Sequence, residues 1–457
     1  MNPHECLALA RSRTPLRRPH RLGEFVPRRS GRARSIALAL SAVLCLGLSG
    51  QTAWAADLLA GVARTDITPT EPVVLNGYES RKDPSRGVHD PLSARAVAFE
   101  QDGQRLVLVS IDNLGFYNHT AEPLRQAILD ACGLKPSELF LCAIHTHSAP
   151  TLTLDAEKAP TNNVAYTRAL EGKLVELVRK ALANLAPVEI SLGSGSSPVG
   201  VNRREVVKDS AGKAKIVLGR NPSLLTDREV QVLKLARPAG HELAAVLFAY
   251  ATHSTSLGPK NYLISGDIHG LAEQFLERYL GGDVVAPGFA GASGNIDPWV
   301  RVLPDFRTDN GWVPEPVLLG TLLGEEVARV LEGLKGAVPA GPIRTAFKTL
   351  ALPGKTSSEA AVSAAPKVPF NLTVGRLGDI AFVGWGGEVF NEIGQAIKTA
   401  SPFRTTFIFT HCNGAAGYVP TRPSYAEGGY EVQSSPFAPG ADEQLIDATL
   451  QTLRELQ

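Results

Sequence analysis

Short apolar runs alternate with amphipathic stretches along the chain, and this alternation restricts the fold more than any other feature of the sequence. Apolar runs of strand length occur at residues 105–112, 139–145, 229–236, 244–253, 283–291, 380–388 and 405–413. Helical periodicity predicts helices over 121–133, 165–185, 270–282, 318–334, 391–400 and 441–456. This order predicts an α/β fold, with a layered mixed sheet and flanking helices. Small residues over 191–200 predict a loop. A second stretch rich in small residues, 336–369, predicts an insertion or hairpin.

Polar side chains that can bind a metal or move a proton follow six of these strands. The groups are Asp112 and Asn113, His145 and His147, His253, Asn295 and Asp297, Glu388, and His411 with Asn413. In α/β sheets, ligands bind outside the carboxyl ends of the strands, where the loops converge. We therefore expect these groups to face one crevice.

The two histidines of "CAIHTH", His145 and His147, indicate the chemistry of that crevice. In extended chain, residues two apart point to one face with about 6.6 Å between them. Both can then reach one metal ion, or one can bind the ion while the other meets a substrate. A lone pair of this kind is more often hydrogen-bonded without a metal, but His253 and Glu388 in equivalent positions favour a metal. Imidazole and carboxylate without thiolate are typical of catalytic zinc that keeps one position open for water.

Three tyrosines lie in a glycine-rich segment beyond the last strand, at Tyr418, Tyr425 and Tyr430. Loop tyrosines usually anchor packing with a solvated hydroxyl. This segment leaves the same sheet edge as the histidines, so one hydroxyl can reach the crevice, although spacing does not identify which. His89 and His269 lie nearer to loops, and we interpret them as polar or supporting residues.

The first 55 residues are typical of an export signal rather than of a folded domain. Nine arginines precede the apolar run "SIALALSAVLCLGLSG", and small residues at Ala53 and Ala55 match a cleavage site. An uncleaved membrane anchor is the less favoured alternative, because the apolar run is shorter than the roughly 20 residues of a membrane span. We therefore predict an exported protein, periplasmic or secreted.

Charge and motifs exclude several other classes of protein. Residues 1–55 hold nine of the 46 basic and two of the 45 acidic residues, so the remainder carries a net charge of −6. That balance gives no reason to expect nucleic-acid binding. The sequence contains no G-x-S-x-G nucleophile motif, P-loop or dinucleotide-binding motif. The cysteines beyond the signal, Cys132, Cys142 and Cys412, lie outside any zinc-ribbon spacing, and a disulfide between Cys132 and Cys142 is one option in an exported protein.

Several motifs in order resemble the neutral (alkaline, non-lysosomal) ceramidase family. They are "AGVARTDITPT", "LVSIDN", "HTHSAPT", "VNRR", "TDREVQVLKL", "ATHSTS", "LISGDIHG", "GNIDPW", "GGEVF" and "CNGAAGYVPTRPSYAEGGYE", spread from about Leu59 to Glu431. The resemblance implies a zinc amidohydrolase that cleaves N-acylsphingosine to a fatty acid and sphingosine through a zinc-activated water. It also implies a small-molecule or lipid amide substrate, and leaves room for peripheral contact with a membrane.

The resemblance assigns roles residue by residue. It implies four zinc ligands, at His145, His253, Glu388 and Tyr418. It implies catalytic or substrate-contacting roles at His147, Arg203, Asp297 and Tyr430. Within that set, His147 would meet the substrate or water and shuttle the proton to the leaving amine. Arg203 and Tyr430 would hold the scissile carbonyl.

Two departures from the family pattern leave the substrate open. Asp297 stands where ceramidases carry a serine, and a carboxylate can serve there as a base or as a salt-bridge partner. We also expect residues 56–457 to form a single catalytic domain without the C-terminal immunoglobulin-like domain of ceramidases. The alternatives are therefore a ceramidase-like metallohydrolase of another amide or ester, or, less favoured, an exported binding protein without catalysis.

Overall fold

The computed structural model describes residues 57–238, 242–302, 313–356 and 366–457. The predicted export signal lies outside these ranges. The strands within them are β1 Leu59–Asp66, β2 Gly87–Val88, β3 Ser93–Gln101, β4 Gln104–Ile111, β5 Leu139–Ala143, β6 Ala186–Pro187, β7 Glu189–Ser196, β8 Gly200–Asn202, β9 Arg204–Lys208, β10 Ala214–Leu218, β11 Glu229–Ala236, β12 Leu243–Tyr250, β13 Leu263–Ile264, β14 Gly288–Ala290, β15 Ile296–Pro298, β16 Ile343–Pro353, β17 Lys367–Leu377, β18 Ile380–Trp385, β19 Glu388–Val389, β20 Thr405–Phe409 and β21 Tyr418–Val419. The helices are α1 Ala121–Cys132, α2 Thr161–Ala183, α3 Asp267–Leu280, α4 Pro314–Gly333, α5 Asn391–Ala400, α6 Arg422–Glu427, α7 Tyr430–Ser434 and α8 Ala441–Glu455.

Three larger sheets organise these elements. Their strand orders are β5-β4-β3-β1-β6, β14-β12-β11-β7 and β16-β17-β18-β20. Most neighbours are antiparallel, but each sheet contains one parallel pair: β4 with β5, β12 with β14, and β18 with β20. The carboxyl ends of the two strands in each parallel pair therefore lie at the same edge of their sheet.

Each sheet buries one face against helices and the other against a shared centre. Helices α1 and α2 cover the first sheet, α3 and α4 the second, and α5 and α8 the third. The shared centre contains residues from all three sheets, among them Phe99, Phe140, Leu247, Phe382 and Phe409. Apolar side chains on both faces explain why these strands read as continuous apolar runs. The predicted α/β fold, a layered mixed sheet with flanking helices, is confirmed.

The prediction of a loop over residues 191–200 is wrong for residues 191–196, which belong to strand β7. Glycine and serine normally disfavour strands, but here the glycines allow close packing of helix α4. A Cβ atom on Gly193 would lie 2.5 Å from Leu334 Cδ2, and one on Gly195 would lie 2.7 Å from Val330 Cγ2. Small residues in β7 are therefore required by the approach of the helix.

The stretch 336–369, predicted as an insertion or hairpin, contributes strand β16 and the first three residues of β17, with which β16 pairs antiparallel. Residues 357–365, between these strands, lie outside the described ranges. In the described parts of the chain, no helix combines the length and apolarity that a membrane span requires.

Candidate metal centre

Only some of the polar groups predicted at the strand ends meet at one edge of the three sheets, namely His145, His147, His253 and Glu388. The side chains of Asp112, Asn295 and Asn413 bond elsewhere, to the amide of Ser93, to Glu392 and to the carbonyl of Leu139.

Backbone hydrogen bonds connect the segments that follow the strands. The amide of Ala143 donates to the carbonyl of His411, and the amide of His147 donates to the carbonyl of Ser254. The amide of His253 donates to the carbonyl of Ile296. Residues from different sheets are thus held side by side without any ligand.

Three imidazoles converge at this edge. One ring nitrogen each from His145, His147 and His253 lies within 4.8 Å of the other two. The Nε2 atoms of His145 and His147 are 3.3 Å apart. The Nδ1–H of His145 donates to the carbonyl of Leu114 at 2.7 Å. Because a carbonyl only accepts, this bond leaves the Nε2 lone pair of His145 directed toward the cluster.

His253 is oriented in the same way by the backbone. Its Nδ1 lies 2.8 Å from the carbonyl oxygen of Ser293 and 3.0 Å from that of Ile296. Its Nε2 lone pair therefore faces the other imidazoles, and Nη1 of Arg203 donates to it at 3.2 Å. Fixing one ring nitrogen by a carbonyl is the usual way in which proteins orient histidine ligands.

Glu388 supplies the carboxylate of the cluster. Its Oε2 atom lies 3.4 Å from Nε2 of His145 and 3.5 Å from Nε2 of His253. Oε1 accepts a hydrogen bond of 2.8 Å from the hydroxyl of Tyr117. Oε2 is buried and accepts no hydrogen bond within the part of the chain that the structure describes.

The electrostatic environment favours the neutral forms of His147 and His253 and the ionised form of Glu388. Burial lowers the pKa of His147 well below its usual range, and the neighbouring His145 and His253 lower it further. Burial and then Arg203 also lower the pKa of His253. Burial alone would raise the pKa of Glu388, but the nearby histidines, His145 first, bring it well below its usual range. Neutral imidazoles and an ionised carboxylate are the protonation states that a metal ion binds.

The expected extended geometry for the two histidines is wrong. Strand β5 ends at Ala143, and His145 has a left-handed backbone with φ of 62°. This conformation is uncommon for a residue with a Cβ atom and is maintained only where the surroundings enforce it. The turn at His145 brings its ring within 4.9 Å of the ring of His147, measured between centroids.

The residues predicted to hold the substrate carbonyl lie beside the cluster. Arg203 is buried, and its Nε donates to Glu431 at 2.7 Å. Its Nη1 lies 3.1 Å from Asp297 Oδ1, and its Nη2 donates to the hydroxyl of Tyr418 at 3.2 Å. Tyr430 is about half exposed, and its ring centroid lies 5.8 Å from that of Tyr418. The role of each in holding a carbonyl stays a prediction.

Asp297 is a salt-bridge partner of three arginines. Its Oδ2 lies 2.9 Å from Arg301 and 3.3 Å from Arg220, while Oδ1 faces Arg203. Burial would raise the pKa of Asp297, but Arg203, followed by His253, Arg301 and Arg220, lowers it to about 2. At neutral pH the carboxylate is ionised and a weak base.

The three tyrosines of the glycine-rich segment have different positions. Tyr418 lies beside Glu388, since β19 and β21 pair these two residues. Burial and the charge of Glu388 raise the pKa of Tyr418 well above its usual range. The hydroxyl of Tyr425 instead donates to the carbonyl of Phe437 at 2.8 Å, away from the cluster.

A cleft of about 400 Å³ opens onto the cluster. The lining includes His145, His147 and Glu388, Tyr418 and Tyr430, Leu114 and Tyr117, Thr151, and the segment from Val74 to Lys82. Gly77 packs against His147 so closely that a Cβ atom there would lie 2.3 Å from Nδ1 of the ring. The site therefore has histidines close enough together to bind a metal ion at its base, and an open approach for a ligand.

Two residues near the cluster, Tyr117 and His411, were not predicted to be metal ligands or catalytic residues. Tyr117 follows β4 by six residues, and only its proximity in space, not its spacing, links it to Glu388. His411 stacks on His145, with ring centroids 3.8 Å apart and planes 10° apart. The sequence did place His411 at a strand end, but nothing in its spacing indicated a stack on another imidazole.

The donor set fits a divalent metal ion. Three imidazoles and a carboxylate are the nitrogen and oxygen ligands that zinc takes at catalytic sites. The unbonded Oε2 of Glu388 strengthens the fit, because a buried carboxylate oxygen without a donor is costly unless a cation neutralises it. His269, interpreted as a supporting residue, bonds instead to Ser254 and to the carbonyl of Tyr250.

Comparison with known proteins identifies related sequences. Residues 58–296 match the family model described as neutral/alkaline non-lysosomal ceramidase, N-terminal. A neutral ceramidase of Mycobacterium tuberculosis is 30% identical over 244 residues, which are 49% of this chain and 36% of that protein. A neutral ceramidase of Pseudomonas aeruginosa is 31% identical over 296 residues, 60% of this chain and 42% of that protein. The chain thus spans less than half the length of these curated relatives.

Solved structures show the same fold. The crystal structure of neutral ceramidase from Pseudomonas aeruginosa superposes with a TM-score of 0.70 at 20% identity, covering 88% of this chain and 75% of that one. A ceramidase complexed with C2 superposes with a TM-score of 0.69 at 19% identity, covering 88% of this chain and 76% of the other. Identity at this level establishes the fold, and the chemistry has to be argued from the residues described above.

Proposed function

Since the chain belongs to the neutral/alkaline non-lysosomal ceramidase family, we propose that it is a zinc-dependent hydrolase that cleaves the amide bond of an N-acylated lipid, with N-acylsphingosine as the leading substrate. The observation that carries the proposal is the convergence of His145, His147 and His253 with Glu388 at the base of an open cleft. The relatives named neutral ceramidase support the choice of substrate.

The ligand set in this proposal is His145, His253, Glu388 and Tyr418. Zinc, when bound there, would polarise the scissile carbonyl and lower the pKa of water to about 7. His147 lies within reach of the same point, since its Nε2 is 3.3 Å from that of His145. The proposal assigns His147 to proton transfer rather than to metal binding, and the geometry is compatible with either role.

The remaining residues act on the substrate. Nη2 of Arg203 bonds the hydroxyl of Tyr418 and carries a second N–H. Together with the hydroxyl of Tyr430, it would donate to the carbonyl oxygen as negative charge develops, about 3–4 kcal/mol for a well-placed donor. Neutral His147 would accept a proton from the attacking water and pass it to the leaving amine.

The test is release of sphingosine from labelled N-acylsphingosine by the purified chain, with zinc and again after chelation. We expect release that depends on zinc and disappears in His145→Ala. The matched control is His119→Asn, because His119 is exposed and has a left-handed backbone that asparagine tolerates. A folded, zinc-loaded chain that releases no sphingosine would exclude N-acylsphingosine as substrate. A chain that binds no metal would exclude the mechanism as a whole.

A second candidate is a metallohydrolase of the same family that acts on another amide or on an ester. Asp297 favours it, since an ionised carboxylate bound by Arg203, Arg220 and Arg301 stands where the family carries a neutral serine hydroxyl. A carboxylate at neutral pH accepts hydrogen bonds but donates none. Hydrolysis of a panel of N-acyl amides and esters, each with and without zinc, separates the two candidates.

The proposal also includes the cellular context. Export through residues 1–55 to the periplasm or the medium would bring the enzyme to lipid substrates outside the cytoplasm. Residues 56–457 would act as the catalytic domain. N-terminal sequencing of the secreted chain tests the cleavage, and activity in cell fractions tests the location.

A further inference from the structure

We propose that Tyr117 is a positioning residue of the metal centre, which orients Glu388 through its hydroxyl and thereby sets the affinity for the metal ion. The inference rests on the proposed metal site and adds to it a residue that lies outside the predicted ligand and catalytic set. The evidence lies in the segment that follows strand β4, from Asn113 to Thr120.

The hydrogen bond from Tyr117 gives the two carboxylate oxygens of Glu388 different roles. The hydroxyl donates to Oε1 at 2.8 Å. Oε2 is left facing Nε2 of His145 and Nε2 of His253. If the donor at Oε1 were lost, the carboxylate could rotate and the oxygen directed at the imidazoles would no longer be defined. Outer hydrogen bonds of this kind orient a metal ligand without touching the metal.

The same segment also orients a second ligand. The carbonyl of Leu114, three residues before Tyr117, accepts from Nδ1 of His145 at 2.7 Å. One short stretch of chain thus holds both an imidazole and the carboxylate of the proposed centre. These two ligands come from different sheets, so a shared support fixes their mutual distance.

The conformation of the segment is fixed by several bonds. The side chain of Asn113 is buried, accepts from the amide of Gly115 and donates to the carbonyl of Pro150. Asn118 donates to the carbonyl of Leu152 at 2.8 Å, and Thr120 donates to the carbonyl of Tyr117 at 2.7 Å. Bonds on both sides of Tyr117 hold the backbone from which its side chain extends.

The position of the Tyr117 ring requires glycine at residue 115. Gly115 has φ of 155°, and a Cβ atom there would lie 2.8 Å from Cε2 of Tyr117. Asn118 has φ of 54° and His119 has φ of 59°, so two consecutive residues other than glycine adopt the left-handed conformation. Strained backbone of this kind persists where the surroundings enforce it and is concentrated at functional sites.

The test compares Tyr117→Phe with the unchanged full-length chain. The metal dissociation constant is measured by competition with a chelating zinc indicator, and the visible spectrum of the cobalt-loaded protein reports the ligand geometry. We expect Tyr117→Phe to weaken zinc binding about 10- to 100-fold and to change the cobalt spectrum. Thermal unfolding in chelator checks that the metal-free variant folds.

The matched control is Tyr425→Phe. Its hydroxyl also donates a 2.8 Å hydrogen bond, to the carbonyl of Phe437, and its side chain is likewise partly buried. This variant should bind zinc as the unchanged chain does. Equal zinc affinity and cobalt spectra for Tyr117→Phe and the unchanged chain would overturn the role of Tyr117 alone. Failure of the unchanged chain to bind zinc would overturn the metal site and this inference with it.

Discussion

The Nε2 atom of His145 lies 3.4 Å from the Oε2 atom of Glu388, although the two residues follow strands of different sheets. In each sheet, the two strands of the parallel pair end at the same edge. Hydrogen bonds join the backbone segments that follow these strands in the different sheets. The arrangement of His145, His253 and Glu388, which could bind a metal ion, therefore depends on how the three sheets meet and on the packing at that edge. Substitutions that change the packing there should change metal binding without removing any ligand.

Gly77→Ala tests this dependence at His147. The added Cβ atom would lie 2.3 Å from Nδ1 and 2.6 Å from Cγ of the ring, so the ring must move. Because Nε2 of His147 lies 3.3 Å from Nε2 of His145, a displaced His147 ring disturbs this proposed ligand, and we expect zinc affinity to fall about 10- to 100-fold. Titration with a chelating indicator measures the effect.

The control for that variant is Gly103→Ala. Both glycines have a left-handed backbone, with φ of 98° and 72°, so both alanines introduce backbone strain of about 1–2 kcal/mol. Nothing lies within 4 Å of a Cβ atom on Gly103, so its zinc affinity should be unchanged. Equal zinc affinities for the two variants would show that the contact between Gly77 and His147 has no part in metal binding.

Much of the site can be predicted from the sequence, because each buried strand appears as an apolar run and the end of the run marks the end of the strand. The six segments with polar residues at their ends correspond to strands β4, β5, β12, β14, β18 and β20, which form the three parallel pairs. Within those strands the pattern of burial determines where the chain leaves the core. A residue at that point that can bind a metal or move a proton can therefore be recognised from the sequence alone.

The rest depends on contacts between elements far apart in sequence. Tyr117 reaches Glu388 only because the segment after β4 folds back over the cluster, and no periodicity encodes that turn. Strand β7 was missed because its glycines serve the packing of α4 rather than the strand itself. The left-handed backbone at His145 was missed for a similar reason, since it follows from the bonds that its neighbours make.

Close packing in the first sheet predicts a strong effect on stability at Gly61. A Cβ atom there would lie 2.0 Å from the carbonyl oxygen of Ala181 and 2.8 Å from the backbone of Asn184, at the end of helix α2. Because both contacts are with backbone, the helix end has to shift. We expect Gly61→Ala to lower the free energy of unfolding by about 3 kcal/mol or more, measured by urea denaturation.

Gly172→Ala provides the comparison for Gly61. Gly172 lies inside helix α2, and nothing lies within 4 Å of a Cβ atom there. Alanine should raise the free energy of unfolding by about 0.5–1 kcal/mol, because it is the better helix former. A Gly61→Ala chain as stable as the unchanged one would contradict the packing of β1 against α2.

The ion pairs of Asp297 predict a specific dependence of stability on pH. The pKa of this carboxyl is lowered from 3.8 to about 2, with Arg203 as the main lowering influence against the effect of burial. A group with a lower pKa in the folded state stabilises the fold fully above its ordinary pKa, and the contribution is lost as pH falls through the folded value. Ionisation of Asp297 should therefore contribute about 2 kcal/mol at pH 7 and about half of that at pH 3.

Urea denaturation of the metal-free chain and of Asp297→Asn, at several pH values between 3 and 7, measures this contribution. The stability advantage of the unchanged chain should decrease by about 1 kcal/mol over that range as the pH is lowered. Asp283→Asn, at an exposed position, is the control for the change of residue type. A constant difference between the chain and Asp297→Asn at all pH values would mean that the three arginines do not lower the pKa of Asp297.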